Sequence, residues 1–281
     1  MQTPTMGVKE VSVIRTGIGD AHREHVFGTR KPALYWIFFT RRPVRIPVHA
    51  FVIEHEKALV LFDTGMDRRV ITDPDYFPDK VTTFFMDHIF DFHQEPEETL
   101  VPQLEKAGYQ AGEVSKAVIS HLHFDHVGGI RDIPQADLFV SQAEWEHMLD
   151  KSAGHEGIIR RDIDIPGAKW NKIGFRPTTD PSLAPFTECF DLMGDGSLIL
   201  LPTPGHTLGS LSMLVKRTDA APLLLIGDLA YAAEALEHDR LPGTGDKKTL
   251  SASYQKVRAL KESHPDLLIV PSHDWKAAEE L

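Results

Sequence analysis

Short runs of apolar and β-branched residues recur along the chain, and most of them end in a polar or turn segment. Runs of about four to eight such residues predict β-strands that bury one or both faces. We predict strands at residues 11–15, 48–54, 58–62, 118–120, 197–201, 210–215, 223–226 and 267–270.

Three segments have the apolar spacing of amphipathic helices: residues 97–107, 141–150 and 248–263. In the second, Ser141 followed by Glu144 predicts a capping box. Because strands precede helices in both halves of the chain, the order predicts an α/β sandwich of two sheets with helices outside. No linker rich in glycine, proline or serine divides the sequence, and we predict a single domain over residues 1–281.

Residues 67–94 differ from the rest, because they are rich in aromatic side chains but have no clear periodicity. We predict that they form an excursion over the core. Excursions of this kind often carry function.

Composition narrows the class of protein. Hydrophobic residues make up 42% and charged residues 25%, as in an ordinary folded protein. The net charge of -11 argues against binding to nucleic acids and to anionic membranes, both of which select positive charge. Residues 1–7 do not resemble a signal peptide, and apolar runs such as 33–39 are too short to span a bilayer. We predict a cytoplasmic protein.

The single cysteine, Cys189, excludes an intramolecular disulfide and a cysteine-based zinc site. We interpret it as a small residue in a strand beside Phe190 rather than as a catalytic thiol.

Four potential metal ligands lie within six residues: His121, His123, Asp125 and His126. They follow a predicted buried strand and precede Gly128-Gly129, which would allow a tight turn. Side chains at positions i and i+2 can point the same way, so the first two histidines could hold one metal. Burying such groups without partners would cost several kcal/mol, which disfavours a purely structural role. The segment therefore predicts a metal site.

Three more candidate ligands share the same context, because each follows a short buried strand. They are His206, Asp228 and His273. Scaffolds commonly present functional groups on loops at such strand ends. A ligand set of nitrogen and oxygen suits zinc, manganese, iron or cobalt, and zinc is our preferred prediction.

These residues resemble the metallo-β-lactamase superfamily, whose H-x-H-x-D-H signature the chain matches in full at residues 121–126. The resemblance implies an αββα sandwich with two divalent metal ions in a cleft at one edge. It also implies the ligands, which are His121, His123 and His206 for one ion, Asp125, His126 and His273 for the other, and Asp228 bridging both.

Within that superfamily, the chain looks most like the N-acyl homoserine lactonases. Tyr231 follows the bridging aspartate by three residues, as it does there, and Asp63-Thr64-Gly65 and Ser272-His273-Asp274 are also similar. The resemblance implies opening of a lactone ring by a metal-bridging hydroxide. Tyr231 would donate a hydrogen bond to a substrate oxygen, and Asp125 would carry a proton to the leaving oxygen.

Ten large apolar side chains could cover the acyl chain of such a substrate or form a dimer interface. They are Tyr35, Trp36, Phe38, Phe39, Tyr76, Phe77, Phe84, Phe85, Met86 and Phe90. The pattern leaves both uses open, and we predict a homodimer.

Two other readings share the ligand set. The first is hydrolysis of a different lactone, an ester or an organophosphate on the same two metals. The second is a redox or non-catalytic protein, but a flavodiiron-like partner would need a flavin domain that this chain is too short to hold. The ribonuclease, glyoxalase and β-lactamase branches are disfavoured, since their long C-terminal helical region, signal peptide and carboxylate-binding lysine are not recognised here.

Overall fold

Most of the predicted apolar runs are β-strands in the computed structural model, which describes residues 7–40, 43–279 and 281. The signal-peptide prediction falls largely on residues 1–6, which lie outside that range. The strands are β1 (Val8–His22), β2 (Pro43–His55), β3 (Ala58–Phe62), β4 (Phe90–His93), β5 (Val114–Val118), β6 (Asp137–Ser141), β7 (Lys169–Ile173), β8 (Arg176–Pro177), β9 (Glu188–Asp191), β10 (Leu198–Pro202), β11 (Leu211–Val215), β12 (Leu223–Leu225) and β13 (Leu268–Val270).

Helices connect and cover these strands. They are α1 (Arg23–Phe27), α2 (Ala33–Phe39), α3 (Arg69–Thr72), α4 (Lys80–Ile89), α5 (Leu100–Lys106), α6 (Gln142–Met148), α7 (Arg160–Ile163), α8 (Ala233–Glu237) and α9 (Lys247–Ser263), with 3₁₀ turns at Pro96–Glu98, Ala111–Glu113, Ile130–Asp132, Ala153–Glu156, Pro181–Leu183 and Trp275–Ala278. Among the described residues, no helix is long and apolar enough to cross a membrane.

The strands form two mixed sheets. The first has the order β4-β1-β2-β3-β5-β6-β7, and the second has the order β13-β12-β11-β10-β9-β8. In the first sheet β3, β5, β6 and β7 run parallel, whereas β4, β1, β2 and β3 are antiparallel. In the second sheet only the β12–β13 pair is parallel.

The two sheets pack face to face, with helices on both outer faces. Between them lies an apolar cluster that includes Phe51 and Phe62 of the first sheet and Leu200 and Met213 of the second. The outer face of the first sheet packs against α5 and α6, and that of the second packs against α9. This is the predicted αββα sandwich, and the predicted fold class is confirmed.

Some element boundaries differ from the predictions. The strand predicted at residues 118–120 is displaced, since β5 ends at Val118 and the Ser120 N–H is bonded to the Asp63 carboxylate instead of a neighbouring strand. The helix predicted at residues 97–107 is interrupted at Thr99, whose backbone is extended. Cys189 lies within β9 as expected.

The excursion at residues 67–94 is more regular than its sequence suggested. It contains α3, the ten-residue α4 and the edge strand β4, which pairs with β1. Its start is tied to the core because Arg69 donates to Asp67 and to Asp162, a buried carboxylate that also accepts from Arg131.

Gly128 is needed for close packing rather than for an unusual turn. The predicted tight turn is present, since Gly128 and Gly129 lie at its centre and the Ile130 N–H donates to the Val127 carbonyl over 3.3 Å. Neither glycine has a positive φ, so the turn conformation alone does not require glycine. A Cβ atom on Gly128 would collide with the backbone of Met66 and Asp67. The Gly128 N–H donates to the Gly65 carbonyl over 2.7 Å, which joins the loop after β3 to the loop after β5.

We expect Gly128→Ala to destabilise the protein by about 3 kcal/mol, because backbone atoms cannot move aside as a flexible side chain can. Chemical denaturation measures the change. Gly112→Ala is the matched control, since a Cβ there meets nothing within 4 Å. Equal stability of the two variants would contradict this account of Gly128.

Candidate metal centre

Five strands end at one edge of the sandwich, and the predicted ligands lie just beyond those ends. The segment from His121 to His126 follows β5. His206, Asp228 and His273 follow β10, β12 and β13 respectively. The fifth strand, β3, ends at Phe62, directly before Asp63, which was not among the predicted site residues. The structure thus brings all seven predicted ligands into one region.

Three imidazoles form the first group of donors. The His123 Nδ1 atom lies 3.0 Å from Nε2 of His121 and 3.0 Å from Nε2 of His206. Each of the three offers a ligand atom within 4.8 Å of the others. Burial lowers the pKa of His123 and His206 to about 3, so these rings are neutral at pH 7 and can donate lone pairs.

The second group combines His126 and His273 with two carboxylates. Asp228 Oδ1 lies 3.2 Å from His126 Nε2 and 3.0 Å from His273 Nε2. Asp125 lies 3.8 Å from the first ring and 3.6 Å from the second. The other oxygen of Asp228 is 3.5 Å from His206 Nε2, so this carboxylate stands between the two groups.

Asp63 determines which nitrogen of two rings faces the centre. Its carboxylate accepts hydrogen bonds from His126 Nδ1 at 2.8 Å and from the Ser120 hydroxyl at 2.9 Å. The Ser120 oxygen in turn accepts from His121 Nδ1 at 3.0 Å. Since each Nδ1 must carry the proton, the Nε2 lone pairs of His121 and His126 face inward.

His273 is oriented in the same manner by the backbone. Its Nδ1 atom donates to the Pro47 carbonyl over 2.7 Å, which leaves the Nε2 lone pair facing Asp228. A carbonyl can only accept, so this tautomer does not depend on any other group.

Glu144 joins the loops that carry His121, His123 and His206. Its buried carboxylate accepts from the Leu122 N–H at 2.9 Å, the Thr207 hydroxyl at 2.7 Å and the Gly209 N–H at 2.9 Å. The predicted capping box is therefore confirmed only in part: Ser141 caps α6 by accepting from the Glu144 N–H, but the Glu144 side chain serves these loops.

The chemistry of this donor set fits divalent metal ions. His126 Nε2, His273 Nε2 and Asp228 Oδ1 are buried and have no hydrogen-bond partner among the described residues. Burial opposes charge on His126, yet the carboxylates of Asp228, Asp63 and Asp125 raise its pKa well above the usual value. The carboxylates therefore favour a positive charge at the centre, and the inward-facing Nε2 lone pairs can serve as ligands of a cation.

A cavity of about 270 Å³ opens onto both donor groups. Its polar wall includes His123, Asp125, His206, Asp228 and Tyr231, and its apolar wall consists of Ile46, Met86, Ile89, Phe90, Phe92 and Phe124. The cavity therefore presents an apolar surface directly opposite the candidate metal ligands.

Tyr231 is buried in the polar wall. Its ring stacks on His273 with centroids 5.2 Å apart, and its hydroxyl lies 2.8 Å from Nε2 of His25. Burial and the charges of Asp228 and Asp125 raise the pKa of Tyr231 well above its usual value, so the phenol keeps its proton at pH 7.

The ten apolar side chains singled out in the sequence divide into three sets. Met86 and Phe90 line the cavity, whereas Tyr35, Phe38, Phe39 and Phe84 are exposed or pack on the outer side of α2 and α4. The third set is buried: Trp36 contacts His22 and His25, and Tyr76 and Phe77 belong to one apolar cluster. Phe85 contacts Phe38 and Phe84.

Sequence reasoning missed Asp63, Glu144 as a link between loops, and His25. Asp63 follows an apolar strand just as the predicted ligands do, so the same criterion would have found it. His25 carries no such signal, because α1 has only five residues and no apolar periodicity.

Comparison with known proteins agrees with this geometry. A family model described as the metallo-beta-lactamase superfamily matches residues 44–273. The N-acyl homoserine lactonase AttM of Rhizobium radiobacter is 34% identical over 232 residues, which cover 82% of this chain and 82% of that protein.

Two solved structures show the same fold. An N-acyl homoserine lactone hydrolase with the product N-hexanoyl-L-homoserine bound at its catalytic metal centre matches with a TM-score of 0.78 and 22% identity, over 98% of this chain and 97% of that one. AidC, a dizinc quorum-quenching lactonase in complex with a product, matches with a TM-score of 0.64 and 17% identity, over 96% of this chain and 92% of its own.

We expect Asp63→Asn to weaken metal binding by about 10- to 100-fold, because an amide cannot accept from both Ser120 and His126 as the carboxylate does. Metal content after dialysis against a graded series of chelator concentrations measures the loss. Asp137→Asn is the matched control, since Asp137 is about half exposed and lies 4.0 Å from Lys116 at the surface. Wild-type metal retention in Asp63→Asn would show that this carboxylate does not orient the ligands.

Proposed function

The chain belongs to the metallo-beta-lactamase superfamily, as its motif predicted, and from this we propose that it hydrolyses the lactone ring of N-acyl homoserine lactones. One observation carries the choice of substrate class. Tyr231, a neutral hydrogen-bond donor, lies beside the donor groups and faces the same cavity as an apolar wall. A lactone ring needs a hydrogen-bond donor for one of its oxygens, and an acyl chain needs an apolar surface.

We assign His121, His123 and His206 to one metal ion, Asp125, His126 and His273 to a second, and Asp228 to both. Two bound divalent ions would lower the pKa of water to about 7 and polarise the lactone carbonyl. The inward Nε2 lone pairs and the placement of Asp228 between the two groups support this assignment.

The chain's own groups complete the reaction. Water adds its hydroxyl to the carbonyl carbon and gives up a proton, the bond between that carbon and the ring oxygen breaks, and the ring oxygen takes up that proton. Asp125 is 9% exposed and lines the cavity, so its carboxylate can carry that proton. Tyr231 donates a hydrogen bond to a substrate oxygen on which negative charge develops.

Zinc is the metal that we propose. Imidazole and carboxylate ligands suit it, and the AidC lactonase, which has the same fold, is described as dizinc. Elemental analysis of protein purified without added metal, followed by replacement with manganese, iron or cobalt, tests this choice. Two equivalents of another metal with full activity would overturn it.

A homodimer is a further part of the proposal. We define the α2–α4 patch as Leu34, Tyr35, Phe39, Val81 and Phe84, which are 62%, 50%, 75%, 66% and 49% exposed. None of the five lines the cavity, to which α4 contributes Met86 and Ile89 and β4 contributes Phe90 and Phe92. An apolar patch of this kind is typical of an interaction surface.

We also propose that residues 1–281 fold as one unit and that the protein is cytoplasmic. The apolar cluster between the sheets draws on residues from Val8 to Ala277, which supports a single cooperative unit. A single unfolding transition seen alike by fluorescence and circular dichroism tests the first statement, and cell fractionation tests the second.

Tyr231→Phe should lower kcat for N-hexanoyl-homoserine lactone by about 100-fold at unchanged metal content, because the ring stays in place while the donor is lost. Proton release monitored with a pH indicator measures the rate. Tyr254→Phe is the matched control, since its hydroxyl donates to the Arg240 carbonyl away from the cavity.

The same assay with several acyl lengths, simple esters and an organophosphate tests the substrate class. Turnover of esters or the organophosphate, without turnover of any homoserine lactone, would replace the proposed substrate by the alternative one. A fully active Tyr231→Phe variant would remove the assigned role of Tyr231.

Replacing Phe39 and Val81 by serine should convert the dimer to a monomer, because both side chains belong to the α2–α4 patch. Sedimentation velocity over a range of concentrations measures the association state. Leu149→Ser is the matched control, since Leu149 is 50% exposed outside the patch. A wild-type protein that is monomeric throughout the range would overturn this part of the proposal.

A further inference from the structure

His25 contacts Tyr231, the proposed hydrogen-bond donor of the site. It is a buried residue of α1, and its Nε2 atom lies 2.8 Å from the Tyr231 hydroxyl. The chain separation is 206 residues, so only the fold brings the pair together. His25 also lines the cavity.

The surroundings hold the His25 ring in one orientation. The Phe90 ring meets it edge-on, with centroids 4.8 Å apart, and Trp36 contacts it at 6.4 Å. The backbone beneath is held by a hydrogen bond of 2.6 Å from the Gly243 N–H to the His25 carbonyl. Burial lowers the pKa of His25 to about 3, so the imidazole is neutral at pH 7 and carries one proton.

The position of that proton follows from two observations. The His25 Nδ1 atom is buried and has no hydrogen-bond partner among the described residues, and an orphaned N–H is rarer than an orphaned acceptor. The Tyr231 hydroxyl has a single hydrogen, and Asp228, whose carboxylate can only accept, is hydrogen-bonded to it. The proton between His25 and Tyr231 therefore belongs to Nε2 of His25.

We propose that His25 is a positioning residue, whose Nε2–H donates to the phenol oxygen of Tyr231 and so keeps the phenol hydrogen on the cavity side. There the Asp228 carboxylate accepts it in the free protein, and a substrate oxygen would accept it in the complex. The inference rests on the proposed function, in which Tyr231 donates to the substrate. Without His25, the phenol hydrogen can rotate about its C–O bond, and fewer molecules present it in the productive direction.

A double-mutant cycle tests the coupling. Zinc-loaded wild type, His25→Phe, Tyr231→Phe and the double variant are compared on N-hexanoyl-homoserine lactone. His25→Phe keeps the ring contacts with Phe90 and should lower kcat by about tenfold with little change in KM, as expected for loss of one hydrogen bond that acts on turnover. In the Tyr231→Phe background it should change kcat by less than about twofold, because no hydroxyl remains to be directed.

Two further variants separate positioning from packing. His25→Gln offers an N–H at a position similar to Nε2 and should recover part of the lost kcat. His22→Phe is the matched control, because His22 lies in the same segment, contacts Trp36 and donates to the His88 carbonyl rather than to Tyr231. It should leave kcat unchanged.

The outcomes distinguish this inference from the proposed function. If Tyr231→Phe slows turnover while His25→Phe does not, or if the two losses multiply in the double variant, His25 does not act through Tyr231 and only the inference fails. If Tyr231→Phe is fully active, the assigned role of Tyr231 and the inference fail together.

Nitrogen NMR of the zinc-loaded protein gives a readout that does not depend on activity. With ¹⁵N-labelled histidine, the signals absent from His25→Phe identify His25. We expect a neutral ring with the proton on Nε2. A ring protonated on Nδ1 would overturn the inference, because it could then only accept from Tyr231.

Discussion

The Asp63 carboxylate is the constraint on which the rest of the site depends. It is fully buried, and it accepts from the Ser120 N–H, the Ser120 hydroxyl and His126. Its backbone has φ 61°, a left-handed conformation that aspartate tolerates better than most residues and that often marks a functional position. A buried carboxylate without such partners would cost several kcal/mol, so the loops after β3 and β5 must stay together.

Glu144 extends this constraint to the second sheet. The loop with His121 and His123 belongs to the first sheet, and the loop with His206 follows β10 of the second. Glu144 accepts backbone hydrogen bonds from both loops. The Glu144 carboxylate, which is not a proposed ligand, thus determines the geometry of the first donor group. A metal ion at the centre would further stabilise donor groups that hydrogen bonds to buried carboxylates already hold in place.

Sequence patterns predicted the features of the molecule that depend on residues close together in the chain. Apolar runs followed by His121, His206, Asp228 or His273 identified the candidate ligands that the fold brings together, because a short buried strand must end where the chain leaves the core. The boundaries failed where a side chain replaced a strand partner, as at Ser120, or where tertiary pairing created an element, as in β4. No local pattern predicts His25, because its importance depends on a contact with Tyr231 that only the folded chain makes.

The two walls of the cavity are held by different kinds of interaction, and this difference has a consequence for substrate choice. The polar wall is attached to five strand ends and to buried carboxylates, so a change there disturbs the metal ligands and the core together.

Much of the apolar wall belongs to the excursion, through Met86, Ile89 and Phe90. That segment pairs with the first sheet through the short β4, and its buried Tyr76 and Phe77 pack against Phe124, which lies between His123 and Asp125 in the chain. Because Met86 and Ile89 are only partly buried, they can change with less effect on the candidate ligands than the buried Tyr76 and Phe77. Phe90 also packs against His25, so it links the apolar wall to the residue that contacts Tyr231.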